Sequence, residues 1–358
     1  MPIQSFSAQN FRCLADIEFE ADPLYNLIVG PNGSGKTSIL EAIGYLGRGK
    51  SFRGAPTTNL IRHGEEAFVL FGRVLDGERR SSVGVRNSLA GLEVRIDGSA
   101  GGGSAALAEA LPLQIIDPDV HDLVAGAPDG RRRYLDWLAF HVEHGYLDNW
   151  RRFRRALKQR NAALRSGASR AVIDNWGAEL CEYAGTIDAG RRAALAAATR
   201  ALEEMAQALL GGATRFEYRP GWPEDRPLAE VLAGSADRDL HQGSTQYGPH
   251  RGDLKLIYDD RQARKLVSRG QQKLLACAMV LAAAETAQAA LERPLLLLLD
   301  DPVAELDGDS LGRLMGRVVA LGCQVIATSL EADTPIFGDS AAVFHVEHGR
   351  LARASQGQ

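Results

Sequence analysis

Two apolar runs stand far apart in an otherwise mixed pattern of hydrophobic and polar residues. Leu27 to Val29 is a short apolar strand that gives way to a glycine-rich segment, after which apolar residues return at helical spacing (Ile39, Leu40, Ala42, Ile43). Much later, Leu295 to Leu299 run without a break into Asp300 and Asp301. Such a run marks a strand buried on both faces of a parallel sheet. Between the two, Leu147, Trp150, Phe153, Leu157 and Leu164 keep roughly helical spacing. After a turn at residues 165–171 the steps of three and four resume at Ile173, Trp176, Leu180, Tyr183 and Ile187. Two antiparallel helices packed on each other follow from that pattern. The glycine-rich stretch near 98–106 predicts an exposed turn, and residues 353–358 read as a disordered tail.

The segment after the first run is Gly30-Pro31-Asn32-Gly33-Ser34-Gly35-Lys36-Thr37, followed by Ser38. It fits G-x-x-x-x-G-K-[ST] between a strand and a helix, the setting that a phosphate-binding loop requires. Glycines let backbone N–H groups turn inward around phosphate oxygens, and the following helix presents its positive N-terminus. In such a loop Lys36 bridges the β- and γ-phosphates of ATP, and the Thr37 hydroxyl ligates Mg²⁺. Asp300 is the expected second holder of Mg²⁺, and Asp301 is placed to orient or deprotonate the attacking water. An aspartate reaches one methylene less far than a glutamate, so slow hydrolysis is expected. Lys36 and Asp300 stand 264 positions apart, too far for a compact P-loop fold with nothing inserted.

Ser268-Arg269-Gly270-Gln271-Gln272-Lys273 precedes another apolar stretch and contains neither a good nucleophile nor a metal-ligand set. A helix N-cap is one reading of Ser268. The order of P-loop, Ser-Arg-Gly-Gln, helix, apolar strand with paired aspartates and Glu305-Leu306-Asp307 resembles the ABC-type ATPase heads. Within that class the chain is similar to the RecF family of bacterial recombination-repair proteins. The likeness is carried by residues 10–14, 30–43, 51–54, 115–137, 154–164, 247–254, 268–273 and 299–307, nearly the whole chain.

The resemblance implies an α/β fold: a P-loop ABC-type head of the SMC and Rad50 kind, interrupted by a mainly α-helical hairpin domain. The head's N-terminal part would be residues 1–124, the insert 125–240, and the C-terminal part, with signature, Walker B and D-loop, 241–358. It also implies a cytoplasmic, ATP-dependent DNA-binding protein that closes as a homodimer on ATP. Its weak DNA-stimulated ATPase would use Mg²⁺, and it would work with RecO and RecR to load recombinase at DNA gaps, with no membrane partner. Ser268, Gly270 and Gln271 would read the γ-phosphate of ATP held by a second copy. Asp307 would lie beside the nucleotide in the D-loop, and Arg12 would touch the nucleotide. Two departures stand out. Thr328 and Ser329 occupy the place of a switch histidine, and Arg251-Gly252-Asp253-Leu254 replaces the family's Arg-Asp-Asp-Leu. Gln114 lies near the region of the Q-loop. An ATPase subunit of a transporter is the alternative; it calls for a switch histidine and no long helical hairpin.

Charge sharpens the DNA reading. The net charge is −4, so nucleic-acid binding has to rest on a local basic surface. Residues 131–165 hold ten lysines and arginines against three acids, an excess of seven. Arg131, Arg132, Arg133, Arg151, Arg152, Arg154, Arg155 and Lys158 are the candidates for binding phosphates. Four scattered cysteines with no Cys-x-x-Cys pair fit a reduced, cytosolic protein. The longest apolar stretches are short for a bilayer span, and the N-terminus lacks the apolar core of a signal peptide. Phe-His-Val-Glu-His-Gly occurs at 140–145 in a helical context and at 344–349 in a strand context, so the repeat is not read as a metal site.

Overall fold

The two distant apolar runs end up in one parallel sheet. The computed structural model describes residues 3–76, 79–266, 268–303, 306–330, 337 and 341–353; Glu305 and residues 354–358 of the expected tail lie outside them, while Arg353, the first residue of that tail, ends the last strand. Two units divide the chain, Met1–Val120 with Glu292–Gln358, and His121–Leu291. The first unit begins with strands Ile3–Phe11 (β1), Leu14–Glu20 (β2) and Tyr25–Val29 (β3), then helix Lys36–Arg48 (α1). Ala67–Asp76 (β4), Arg79–Ser88 (β5), Gly91–Ile96 (β6), Ser99–Ala100 (β7), Gly103–Ala110 (α2) and Leu113–Ile116 (β8) follow. The expected turn at 98–106 therefore contains β7 and the start of α2.

The second unit holds helices Asp122–Ala125 (α3), Pro128–Val142 (α4), Tyr146–Arg165 (α5) and Arg170–Leu210 (α6). Next come Thr214–Arg219 (β9), Leu228–Gly234 (α7), Ala236–Gln242 (α8), Asp253–Tyr258 (β10), Arg261–Gln262 (β11), Ala263–Leu266 (α9) and Arg269–Leu291 (α10). The chain re-enters the first unit with Leu296–Leu299 (β12), Gly308–Ala320 (α11), Gln324–Ser329 (β13), Ala342–Glu347 (β14) and Arg350–Arg353 (β15).

In the first unit an antiparallel sheet, β2-β1-β4-β5-β6-β7, and a second sheet, β15-β14-β3-β13-β12-β8, share a core. The second is parallel from β14 through β8, with β15 antiparallel at its edge. Buried Gln324 ties the two sheets together: its amide donates to the Ile3 carbonyl at 2.8 Å and accepts from the Ile3 N–H at 2.9 Å. Because β3, β13, β12 and β8 run the same way, their carboxyl ends open on one edge, where ligands of open α/β sheets bind.

The helical pattern of the second unit holds. α5 and α6 form the expected hairpin, with Phe153, Leu164, Ile173, Leu180 and Ile187 buried. α6 continues well past the predicted face, to Leu210. α10 packs on α4 and α6, where the Tyr134 hydroxyl donates to the Met279 carbonyl at 3.1 Å. Residues 241–291, expected with the C-terminal part of the head, therefore fall with the helices. α10 is long and apolar enough by composition to cross a membrane, beyond what its apolar stretch suggested, but Lys273 to Ala284 are buried inside this unit.

Candidate nucleotide site

The loop between β3 and α1 is shaped by backbone demands that only glycine meets. A Cβ on Gly30 would lie 2.3 Å from the Val346 carbonyl oxygen, and Gly35 holds φ at 116°. α1 starts at Gly35 with no side-chain cap and no acid in its first turn. The leading N–H groups of a helix have no intrahelical acceptors, so this end suits an anion. Lys36 is buried and donates from Nζ to the carbonyls of Gly30 (2.5 Å) and Pro31 (3.0 Å), which lays its cation across the loop. Burial lowers its pKa, while the charges of Asp301 and Asp300 act in the opposite direction.

Across the sheet edge, Thr37 Oγ1 donates to Asp300 Oδ1 at 3.0 Å. The Asp300 backbone N–H is held by the Ile116 carbonyl at 2.9 Å. The position expected for a switch histidine belongs to Thr328, fully buried, whose hydroxyl donates to Asp300 Oδ1 at 2.8 Å and accepts the Asp301 N–H at 2.9 Å. Burial raises the Asp300 carboxyl above its ordinary range, and the hydrogen bonds from Thr328 and Thr37 oppose that rise. Asp301 follows with φ at 48°, a left-handed backbone uncommon outside glycine and often met at functional sites. A hydroxyl and a carboxylate converging on one point are hard oxygen donors, the kind that Mg²⁺ takes. Next to them burial pushes the Asp117 carboxyl to about 6, with Asp119 and Asp300 adding to the rise.

Other expected residues are engaged differently. Arg12 sits in the tight β1–β2 turn and forms a bidentate pair with Glu41 of α1, a fully buried carboxylate. Gln114 lies within strand β8 and is buried, so it is not a loop residue; Asp117 follows the strand, and Asp119 lies in the 3-10 turn Pro118–His121. Asp307 caps α11, accepting from the Ser310 N–H at 2.8 Å, and that backbone bond lowers its carboxyl. In the second unit Ser268 and Gln271 form a reciprocal capping box: Gln271 N–H to Ser268 Oγ at 3.3 Å, and Ser268 N–H to Gln271 Oε1 at 2.9 Å. Gly270 faces open space, and Ser268 through Gln271 are exposed.

Residues 2–351 match the family of the RecF/RecN/SMC N-terminal domain. The DNA replication and repair protein RecF of Azotobacter vinelandii is 42% identical over 356 residues, covering 96% of each chain. The protein of the same name from Chromohalobacter salexigens is 41% identical and covers 98% of this chain and 99% of its own. The chain belongs to the RecF family. A solved structure of the recombination mediator protein RecF with ATP, in the RecFOR pathway, superposes with a TM-score of 0.89 over 99% of this chain and 98% of that one, at 24% identity. An Smc head bound to the C-terminal winged-helix domain of ScpA gives a TM-score of 0.61 at 16% identity, covering 99% of this chain and 98% of its own. The fold is therefore that of the ABC-type head shared by RecF and SMC proteins, and the transporter alternative is set aside.

Within this RecF-family chain the basic cluster splits in two. Arg131 is buried: its guanidinium holds Asp253 at 2.8 Å and carbonyls of the α3 region, so it is not on a surface. Arg132 is half-buried and donates to the Gly252 carbonyl at 3.0 Å, and exposed Arg133 pairs with Asp129 one turn back. Arg151, Arg152, Arg154, Arg155 and Lys158 are exposed on α5. Arg154 lies over the Trp150 ring and Arg152 over the Tyr183 ring, with 5.0 and 5.9 Å to the centroids. Glu41 was missed in the sequence, although a carboxylate set directly among Ile39, Leu40, Ala42 and Ile43 is a visible signal.

Proposed function

We propose that this chain is an ATP-gated DNA-binding protein of recombinational repair, binding ATP and Mg²⁺ at the P-loop and closing as a homodimer. The observation that carries the reading is Thr37 meeting Asp300 at 3.0 Å across 263 residues of sequence. That contact gathers the parts of a nucleotide site from the two ends of the chain. Lys36 would bind the β- and γ-phosphates, and Thr37 and Asp300 would hold Mg²⁺, which supplies charge neutralisation at the phosphates. Asp301 would orient water for slow hydrolysis. Ser268 would serve the neighbouring copy's γ-phosphate: its oxygen caps the Gln271 N–H, which leaves its own proton to donate. Asp307 and Gly270 belong to that same composite site. The exposed arginines of α5 would track a DNA backbone, and the chain would work in the cytoplasm with RecO and RecR to load recombinase at gaps, a reading supported by the RecFOR pathway in which the solved RecF structure is placed.

The test separates the two copies. Lys36→Met loses ATP binding because the phosphates lose their P-loop cation. Ser268→Arg keeps ATP binding by the single chain but does not dimerise with ATP, since a long cation fills the space at the helix start. Mixed together, the two variants form one intact site per heterodimer, and light scattering and ATPase assays then show partial recovery, well below wild type. Normal ATP-driven dimerisation of Ser268→Arg refutes the shared site.

A further inference from the structure

A buried charge that the nucleotide reading does not use lies on the P-loop helix itself. Glu41 sits one turn past Thr37 on α1 and has no exposed surface. Its two carboxylate oxygens collect donors from two separate segments. Arg12, in the β1–β2 turn, donates from Nη2 to Oε1 at 2.8 Å and from Nε to Oε2. Ser51 Oγ, in the segment after α1, also donates to Oε1. The same Ser51 oxygen accepts the N–H groups of Arg53 (3.1 Å) and Ala55 (3.2 Å), which folds residues 51–55 around it. Phe52 lies against α1 at Gly44, where a Cβ would come within 3.2 Å of its ring. With Ser51 and Phe52 fastened, Arg53 is left exposed between them and the turn at Gly54.

We infer that Glu41 is a positioning residue, a single buried anchor that holds both Arg12 and the Arg53-bearing loop to the P-loop helix and links the placement of one to that of the other. This deepens the nucleotide reading and rests on it. The physical reason lies in the cost of an unpaired buried carboxylate. A charge with no exposed surface must keep its donors, so a movement of Arg12 toward a phosphate has to be answered by Ser51, and the converse holds. The arrangement gives α1 a means of reporting what its own N-terminus has bound to a loop that a P-loop alone would not touch.

Three single variants and one double variant decide it. Ser51→Ala frees the loop and spares the pair between Arg12 and Glu41. In protein without nucleotide it raises the rate of tryptic cleavage after Arg53 about tenfold, as expected for losing one charge-assisted hydrogen bond. Cleavage after exposed Arg133, followed in the same digest by mass spectrometry, stays unchanged. Glu41→Gln keeps the shape and an acceptor for Ser51 but loses the charge, and weakens binding of a non-hydrolysable ATP analogue about tenfold. Arg12→Ala combined with Glu41→Gln binds no more weakly than Arg12→Ala alone. Additive losses in the double variant, or an unchanged cleavage rate at Arg53 in Ser51→Ala, overturn the inference. Failure of wild type to bind the analogue defeats the nucleotide reading instead, and the cleavage comparison still judges the anchor.

Discussion

Replacing Thr328 by valine removes one hydroxyl and almost no volume from the most connected point of the site. That oxygen is a donor to Asp300 Oδ1 at 2.8 Å and an acceptor for the Asp301 N–H at 2.9 Å, in a place with no exposed surface. Losing a hydrogen bond to a carboxylate costs about 1.5–3 kcal/mol, and an orphaned buried N–H adds about 1–3 kcal/mol, offset in part by the extra methyl. A net loss of about 2–4 kcal/mol lowers the melting temperature by about 5–15 °C for a unit of this size. The larger effect falls on turnover. Asp301 keeps its left-handed φ of 48° with that hydroxyl as the acceptor of its N–H, so Thr328→Val releases the group that would orient water. kcat falls by about 10–100-fold, reaching at most the low end of what a positioned acid–base group contributes because Asp301 is displaced rather than removed, while KM for ATP stays within about twofold because Lys36 and its loop are untouched.

The sign of the pH effect follows from the same bond. Thr328 is the foremost group holding the Asp300 carboxyl down, so the variant raises it further. A carboxyl raised by folding keeps its proton in the folded state. Its contribution is most favourable at low pH and is lost as pH climbs from the ordinary carboxylate range through the raised value. Metal-free Thr328→Val is therefore closest to wild type in acid and weakest near neutrality. Thr328→Ser, which restores the hydroxyl, recovers most of both losses. Melting curves at several pH values and steady-state ATPase assays check this, and a valine variant with unchanged melting temperature and kcat would falsify the bridging role.

Asp301→Asn is expected to bind ATP normally and stall before hydrolysis, trapping the closed dimer in scattering experiments; retained turnover assigns the water to another group. Neutralising Arg151, Arg152, Arg154 and Arg155 together is expected to weaken DNA binding without regard to sequence. The slope of log affinity against log salt then becomes shallower by about one unit for each phosphate no longer neutralised, and an unchanged slope moves the DNA off α5. His250 is pushed down to about 4, chiefly by burial, with Arg251, Arg132 and Arg160 adding to the shift. Its share of stability is complete above its ordinary 6.5 and is lost as pH falls toward 4, by up to about 3 kcal/mol. Urea denaturation at pH 4.5 and 7.5 is expected to show a smaller acid loss in His250→Gln than in wild type; equal losses refute the assignment.

How far the sequence could be read depended on whether a residue's role was local. The P-loop and the α5–α6 hairpin are written in short-range spacing, and the apolar run before Asp300 needs only its own length to announce a central strand. The Thr37–Asp300 contact followed from matching two such local signals. Thr328 and Asp117 were harder, because each matters only through strand order. β13 lies between β3 and β12, and β8 lies beside β12, so the ends of these strands reach Asp300. Nothing within either segment states that adjacency. Ser268 illustrates a different limit, since a helix cap and a phosphate ligand ask for the same residue at the same place.

The basic cluster shows where periodicity, read more strictly, separates one arginine from another. On α5 the buried positions are Tyr146, Phe153, Ala156, Arg160, Ala163 and Leu164. Arg160 falls on that apolar stripe, four residues beyond Ala156, and its guanidinium meets buried Asp239 and Thr245, each at 2.7 Å. Arg131 obeys the same rule on α4, three and four residues before buried Tyr134 and Leu135. A cation on the stripe must bring its own partners inside, because an unpaired buried charge costs several kcal/mol. Cations off the stripe carry no such demand. Arg151, Arg152, Arg154, Arg155 and Lys158 all lie off it, and two of them rest on aromatic rings that are thereby covered on one face. A face built this way offers charges at spaced intervals rather than bare rings for stacking bases. It is suited to a phosphate backbone, and for that reason the salt slope, more than base preference, is the property that mutation of this face should change.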